Sequence, residues 1–313
     1  MPSSPPFLLI VDPVASRGRG RLTVGSSPAL SGETLFVAKR RRFSRARGNK
    51  ETPSESRQSA GPVTEREEAE RALVLEQRQK AIRVTLANRD YESVFQPIVA
   101  LQAGGAVGVE ALTRFGTTPV RSPDVWFAEA RNVGLGVELE VAALRSALDQ
   151  LHRLPSGLYL SLNASSDTMM SPEFREAVAD APAERVVLEL TEHDSIEDYE
   201  LLEATVQDLR SNGIRLAVDD AGAGFSSFRH ILNLRPDIIK LDIALTRGID
   251  EDPARRALGS AMLTFGLDAY NAAIVAEGIE TEAEFETLRR LGCRFGQGYY
   301  LGRPGKLRPT IAA

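Results

Sequence analysis

Across residues 91–305, short apolar runs repeatedly give way to side chains able to bind a cation or move a proton. Val186-Val187-Leu188 runs into Glu189, with Glu192 just beyond, and Leu216-Ala217-Val218 runs into Asp219-Asp220. Ile238-Ile239 precedes Lys240 and Asp242, Ala276 precedes Glu277, Glu110 falls near the end of its run, and Asn163 and Gln297 close two others. Carboxylates gathered at one place repel each other unless protonated or neutralised by cations. Carboxylate and amide oxygens, with neither His nor Cys in the set, select hard ions: Mg²⁺, Mn²⁺ or Ca²⁺. Adjacent Asp219 and Asp220 point in different directions at a strand end, so one can bridge two ions while the other holds the second. Two metals about 3.5–4 Å apart stabilise both the attacking and leaving oxygens of an in-line phosphoryl displacement. Lys240 then belongs beside the nucleophilic water or the developing phosphorane charge. An isolated acid at a strand end is ordinarily a helix cap, and a lone lysine an ordinary surface residue. The joint pattern over seven strands is hard to attribute to capping.

Such residues meet only if the elements carrying them converge. Strand-like segments fall at 94–99, 107–113, 158–163, 186–191, 214–219, 238–242, 273–277 and 295–300. Amphipathic stretches separate most of them, at 123–152 (two helices), 172–179, 197–212, 225–234, 253–270 and 282–291. Strands alternating with helices over about 210 residues predict an α/β fold, a modified (β/α)8 TIM-like barrel whose C-terminal strand ends share one face. The first connection is the exception. Ala103-Gly104-Gly105-Ala106 and their neighbours cannot hold a crossover helix, so the first strand is expected to run antiparallel to the second.

A connector helix at 63–90 and a disordered basic tail at 1–62 precede the barrel, and a short tail, 306–313, follows it. The formal net charge of −5 is unevenly spread: residues 1–62 hold 11 Lys/Arg against 4 Asp/Glu, the remainder 27 against 39. The tail is rich in Ser, Arg, Gly and Pro and buries too little apolar area to offset ordering. Its run Lys39-Arg40-Arg41-Arg42 reads as a solvated face. The acidic body does not suit a protein that wraps polymeric nucleic acid. In the connector, Thr64 and Glu67 have capping-box spacing, and Ala72, Leu75, Ile82 and Leu86 form a stripe that packs on its own domain or, less simply, pairs with a second copy. A single cysteine, Cys293, excludes an internal disulfide, and three scattered histidines exclude a His/Cys zinc cluster. No stretch approaches the roughly 18 apolar residues needed to cross a bilayer. The expectation is a soluble, cytoplasmic protein without a membrane segment.

Pattern alone leaves the substrate open, because rim carboxylates with a lysine also describe enolase-type proton abstraction. At Glu110-Ala111-Leu112-Thr113-Arg114, read with Phe95-Gln96-Pro97-Ile98-Val99 and Ser161-Leu162-Asn163, the chain resembles the EAL-domain cyclic di-GMP phosphodiesterases. The ordered series continues through Glu189-Leu190-Thr191-Glu192, Asp219-Asp220, Ile239-Lys240-Leu241-Asp242, Glu277-Gly278-Ile279-Glu280 and Gln297-Gly298-Tyr299.

The resemblance implies a barrel with an antiparallel first strand and metal-dependent hydrolysis of cyclic di-GMP to linear pGpG. It implies that Glu110, Asn163, Glu189 and Asp219 hold one Mg²⁺ or Mn²⁺, with Asp219, Asp220 and Glu277 around a second. Glu277 and Lys240 would position or activate the attacking water, and Glu192 would anchor the loop after the fifth strand. Arg114 would contact phosphate; Gln96 and Gln297 would be further substrate-site residues. A homodimer is also implied. The loop after the aspartate pair departs from the usual Asp-Asp-Phe-Gly-x-Gly-Tyr-Ser-Ser: here it is Asp219-Asp220-Ala221-Gly222-Ala223-Gly224-Phe225-Ser226-Ser227. The missing ring at Ala221 keeps a second reading open, a catalytically weak cyclic di-GMP effector acting through a protein partner.

Overall fold

The computed structural model describes residues 65–116, 121–190, 196, 198–222 and 225–307. The tail at 1–62, Thr64 of the capping box, Glu192 and residues 308–313 lie outside the described residues. Helix α1 (Glu65–Asn88) leads into eight strands that close a barrel in sequence order. They are β1 (Tyr91–Ala100), β2 (Ala106–Phe115), β3 (Tyr159–Asn163), β4 (Val186–Leu190), β5 (Arg215–Ala221), β6 (Ile238–Leu241), β7 (Ala273–Ala276) and β8 (Phe295–Gly296). The helices are α2 (Pro123–Asn132), α3 (Gly136–Leu148), α4 (Ser166–Met170), α5 (Pro172–Val178) and α6 (Tyr199–Ser211). They continue with α7 (Phe225–Leu234), α8 (Ile243–Thr246), α9 (Pro253–Tyr270) and α10 (Glu282–Arg290).

The first strand is antiparallel, as expected. β1 pairs antiparallel with β2 from Tyr91↔Phe115 to Val99↔Ala106, and antiparallel again with β8. The other neighbouring strands pair in parallel. The β1–β2 turn carries φ of +74° at Gly104 and +81° at Gly105, a left-handed backbone that a side chain would oppose. No helix among the described residues is long and apolar enough to cross a membrane.

Strand alternation divides the barrel interior into layers. Near the N-terminal ends of the parallel strands, Ile98, Val187, Ala217, Ile238 and Val275 form a buried cluster with Tyr159 and Phe295. Gly108 makes room for the Tyr159 ring: a Cβ there would lie 2.6 Å from it. Two residues along each strand, on the same face, stand Gln96, Ser161, Glu189, Asp219, Lys240, Glu277 and Gln297. Glu110 holds the equivalent place beyond Gly108. The outer faces of the strands pack against helices in larger apolar clusters, one of them centred on Leu160, Leu162, Leu188 and Leu190.

The described structure departs from the sequence pattern in three places. β8 is shorter than 295–300 because the chain folds over the segment after β7: Gln297 N donates to Ala276 O at 2.8 Å and Ile279 N to Gln297 O at 3.1 Å. There a Cβ on Gly298 would meet the Ile279 carbonyl oxygen at 2.1 Å. Asp242, a candidate rim acid, instead caps α8, accepting from Ala244 N at 2.6 Å. In α1, Ile82 and Leu86 pack with Phe115, Trp126, Leu135 and Leu139, whereas Leu75 of the same stripe is exposed with Leu73 and Val74. Burying a side chain such as Ile82 contributes about 1.5–3 kcal/mol, so the second half of α1 is the part held to the barrel.

Candidate active site

The site is built around Lys240. Its side chain leaves β6 inside the barrel, is 1% exposed, and places Nζ 2.6 Å from Glu277 Oε1 and 2.8 Å from Glu189 Oε2. Asp219 Oδ1 lies 3.4 Å away and Glu110 Oε2 3.6 Å. Four strands thus aim a carboxylate at one ammonium. Neutral donors complete the shell. Ser161 Oγ donates to Glu189 Oε1 at 2.5 Å, Asn163 Nδ2 to Glu110 Oε1 at 3.0 Å, and Gln297 Nε2 to Glu110 Oε2 at 2.6 Å.

The aspartate pair owes its placement to an irregularity of β5. Pairing with β6 runs Val218↔Ile239 and then Ala221↔Leu241, so β5 carries one residue more than its partner between these points. Such a bulge re-aims side chains that regular alternation would send to opposite faces. Asp220 adopts φ +53°, and Asp220 N donates to Asp219 Oδ1 at 2.9 Å. As a result Asp219, Asp220 and Glu277 each offer a carboxylate oxygen, all within 4.8 Å of one another. Both aspartates therefore face the same cluster as Glu277.

Burial and crowding set the proton affinities. Burial pushes Glu189 up to about 8 despite the opposing pull of Lys240, with Glu110 and Asp219 adding to the rise. Glu277 lies well above the usual carboxylate range, first through burial and then through Asp219 and Glu110. Glu110 is held low: burial alone would raise it, but Lys240 and the Asn163 and Gln297 amides outweigh that. Burial alone would lower Lys240, but Asp219, Glu110, Glu189 and Glu277 raise it well above its ordinary value. The lysine is therefore a fixed cation.

A cavity of about 720 Å³ adjoins this cluster, and Glu110, Asn163, Asp219, Asp220, Arg114 and Phe127 are among the residues that line it. Arg114 is exposed, and its Nη1 donates to the neighbouring Thr113 carbonyl at 2.9 Å. The structure thus brings together Glu110, Asn163, Glu189, Asp219, Asp220, Lys240 and Glu277, with Gln96 and Gln297 directly behind Glu110. Glu192 lies outside the described residues. Ala221 is fully buried among Ile239, Leu241 and Leu245. Ser161 went unassigned in the sequence; its only signal was a polar residue at an inward strand position two before Asn163.

A closed β/α barrel with carboxylates and a lysine at the C-terminal ends of its parallel strands defines a barrel protein with a candidate divalent-cation centre. Residues 79–304 match the family described as EAL domain, and the chain belongs to that family. It is 30% identical over 243 residues to the probable cyclic di-GMP phosphodiesterase PdeD of Escherichia coli, covering 73% of this chain and 44% of that protein. It is 29% identical over 244 residues to the bifunctional diguanylate cyclase/cyclic di-GMP phosphodiesterase MucR of Pseudomonas aeruginosa, covering 74% of this chain and 36% of MucR. The chain therefore spans less than half the length of these curated relatives. Among solved structures, the PaMucR phosphodiesterase in complex with c-di-GMP superimposes with a TM-score of 0.65 at 29% identity, covering 73% of this chain and 97% of that one.

Proposed function

We propose that the chain hydrolyses cyclic di-GMP with divalent metal ions, to linear pGpG. A water oxygen forms a bond to phosphorus while the bond to the 3′ oxygen breaks, leaving a 5′-phosphate and a free 3′-hydroxyl. The observation that carries this reading is the enclosure of Lys240 by four carboxylates at the strand ends, with Asp220 as a fifth beside them. Five carboxylates against one ammonium leave four negative charges when all are ionised. Each like pair about 4 Å apart costs on the order of 4 kcal/mol at an effective dielectric of about 20. Two divalent cations would balance that excess, and an all-oxygen donor set suits Mg²⁺ or Mn²⁺.

Glu110, Asn163, Glu189 and Asp219 would hold one ion, and Asp219, Asp220 and Glu277 a second. Bound there, the ions would neutralise phosphate oxygens and stabilise charge on the attacking and leaving oxygens. Lys240 and Glu277, in contact with each other, orient the attacking water, and Lys240 also supplies a fixed positive charge. Arg114, on the cavity wall, presents a fork suited to a phosphate oxygen pair. Membership of the EAL-domain family favours phosphodiester hydrolysis over enolase-type proton abstraction. A homodimer and a cytoplasmic setting belong to the same reading; the free, buried Cys293 is compatible with a reducing compartment.

The test is to incubate the purified full chain with cyclic di-GMP and Mg²⁺ or Mn²⁺ and follow pGpG by chromatography. No turnover with either ion, in protein shown to be folded, overturns hydrolysis. Nucleotide-dependent thermal shifts without turnover would favour the effector reading instead. Sedimentation of the same sample checks the dimer.

A further inference from the structure

Gln96 and Gln297 enter the family resemblance as substrate contacts, and their surroundings assign them a further task. Gln96 sits on β1, Gln297 just after β8, and Glu110 on β2; all three are buried. Gln96 Nε2 donates to Gly302 O at 3.1 Å. Gln297 Nε2 donates to Gln96 Oε1 at 3.0 Å and to Glu110 Oε2 at 2.6 Å.

The direction of this chain is dictated from one end. A backbone carbonyl can only accept, so Gly302 O draws the amino group of Gln96 and turns its oxygen towards Gln297. That oxygen in turn draws the amino group of Gln297, whose second hydrogen points at the Glu110 carboxylate. A flipped Gln297 would set an oxygen against two acceptors. Both hydrogens of Gln297 are therefore committed within the protein, while its Oε1 is buried without a hydrogen-bond partner among the described residues. The segment supplying Gly302 O is itself tied to β1, through Phe95 N to Gly305 O at 2.8 Å and Gly305 N to Phe95 O at 3.0 Å.

The effect on Glu110 is specific. A carboxylate oxygen has two acceptor positions. At Oε2, Gln297 takes one and the Lys240 ammonium, 3.6 Å away, faces the other. Asn163 takes one at Oε1, which leaves one position there for a cation. We propose that Gln297 is a positioning residue, braced by Gln96 and the Gly302 carbonyl, that fixes Glu110 for metal binding. This rests on the reading of Glu110 as a metal ligand. A substrate contact alone would act on KM and leave metal affinity unchanged, so the metal titration is the discriminating measurement.

The experiment titrates Mn²⁺ alone into the full chain by calorimetry, for the wild type, Gln297→Met and Gln96→Met, and then measures kcat and KM for cyclic di-GMP at saturating Mn²⁺. Methionine keeps the length of the side chain without the amide. Removing an outer hydrogen bond to a ligand lowers metal affinity by about 10–100-fold. The expected result is that loss for Gln297→Met, a smaller loss for Gln96→Met, and activity that rises again as Mn²⁺ is raised. Wild-type Mn²⁺ affinity in Gln297→Met overturns the proposal, whatever KM does, while leaving the hydrolase reading intact. Should Gln297→Met fail to melt cooperatively, Gln96→Met decides alone: unchanged Mn²⁺ affinity overturns the proposal. A wild-type chain that binds no Mn²⁺ overturns both readings.

Discussion

The interior of the barrel holds two regions only two residues apart on the same strands, and they obey opposite rules. Tyr159, Val187, Ala217, Ile238, Val275 and Phe295 form an apolar floor. Ser161, Glu189, Asp219, Lys240, Glu277 and Gln297 form a polar layer above it. The floor stabilises the fold by removing apolar area from water. The polar layer holds several carboxylates whose burial opposes ionisation, with one ammonium as partner. Stability and chemistry are therefore separated by about two residues' rise, roughly 7 Å.

Lys240→Met should separate the layers most strongly. Removing one partner of a buried ion pair costs about 3–5 kcal/mol, and here four carboxylates lose the same ammonium. Urea melts at neutral pH should show that loss, part of it recovered on adding Mg²⁺, and turnover should fall to background. Unchanged stability would mean that the lysine is not the charge partner its distances indicate.

Ile238→Ala, one layer down on the same strand, should cost about 2–5 kcal/mol and leave turnover of the folded fraction close to wild type. Glu277→Gln should do the reverse: turnover is abolished, while the metal-free protein melts at the same or a higher temperature, because a buried carboxylate with raised proton affinity has been neutralised. A large loss of stability in Glu277→Gln, or of turnover in Ile238→Ala, would erase the distinction between the layers.

Much of this contrast was legible in the sequence because strand period is two. Val187 and Glu189, or Ile238 and Lys240, share a face by spacing alone, and the short link at Gly104-Gly105 required the hairpin. Other features depend on partners remote in sequence. The extra residue in β5 appears only against the register of β6, so the sequence could bring both aspartates to one cluster without showing how the backbone at Asp220 turns to allow it. The ending of β8 at Gly296 depends on close approach to Ile279. The capping role of Asp242 was equally available to a metal ligand until its bond to Ala244 N was seen.

The polar layer should also respond to pH. The ordinary carboxylate value is 4.5, and Glu189 is raised to about 8 in the folded chain. The folded state thus binds this proton more tightly than the unfolded state. The stability that the group contributes is fully present below about 4.5 and is lost as pH rises to about 8. A divalent cation replaces the proton, so the Mg²⁺-induced rise in Tm should grow across that window and level off above it. Thermal melts at matched ionic strength, with and without Mg²⁺, check this; a gap independent of pH would place the binding carboxylates elsewhere.

Ser161 gives the smallest and most selective test, because it belongs to the polar layer without carrying charge. Its hydroxyl donates to Glu189 Oε1 at 2.5 Å, while Glu189 Oε2 faces Lys240 at 2.8 Å. The two oxygens are thereby given different partners, and rotation of the carboxylate is blocked. Ser161→Ala removes the donor and leaves a buried carboxyl oxygen short of one bond, a loss of about 1–3 kcal/mol. Metal affinity should fall by about tenfold, the low end for an outer hydrogen bond to a ligand. Ser161→Thr and Ser161→Val introduce side chains of nearly equal size, and only the first retains the hydroxyl. If orientation of Glu189 is what matters, Thr should bind Mn²⁺ more tightly than Val. Equal affinity in the two would show that Ser161 is present for its small volume, extending the packing rule of the apolar floor one layer higher than its hydrogen bond implies.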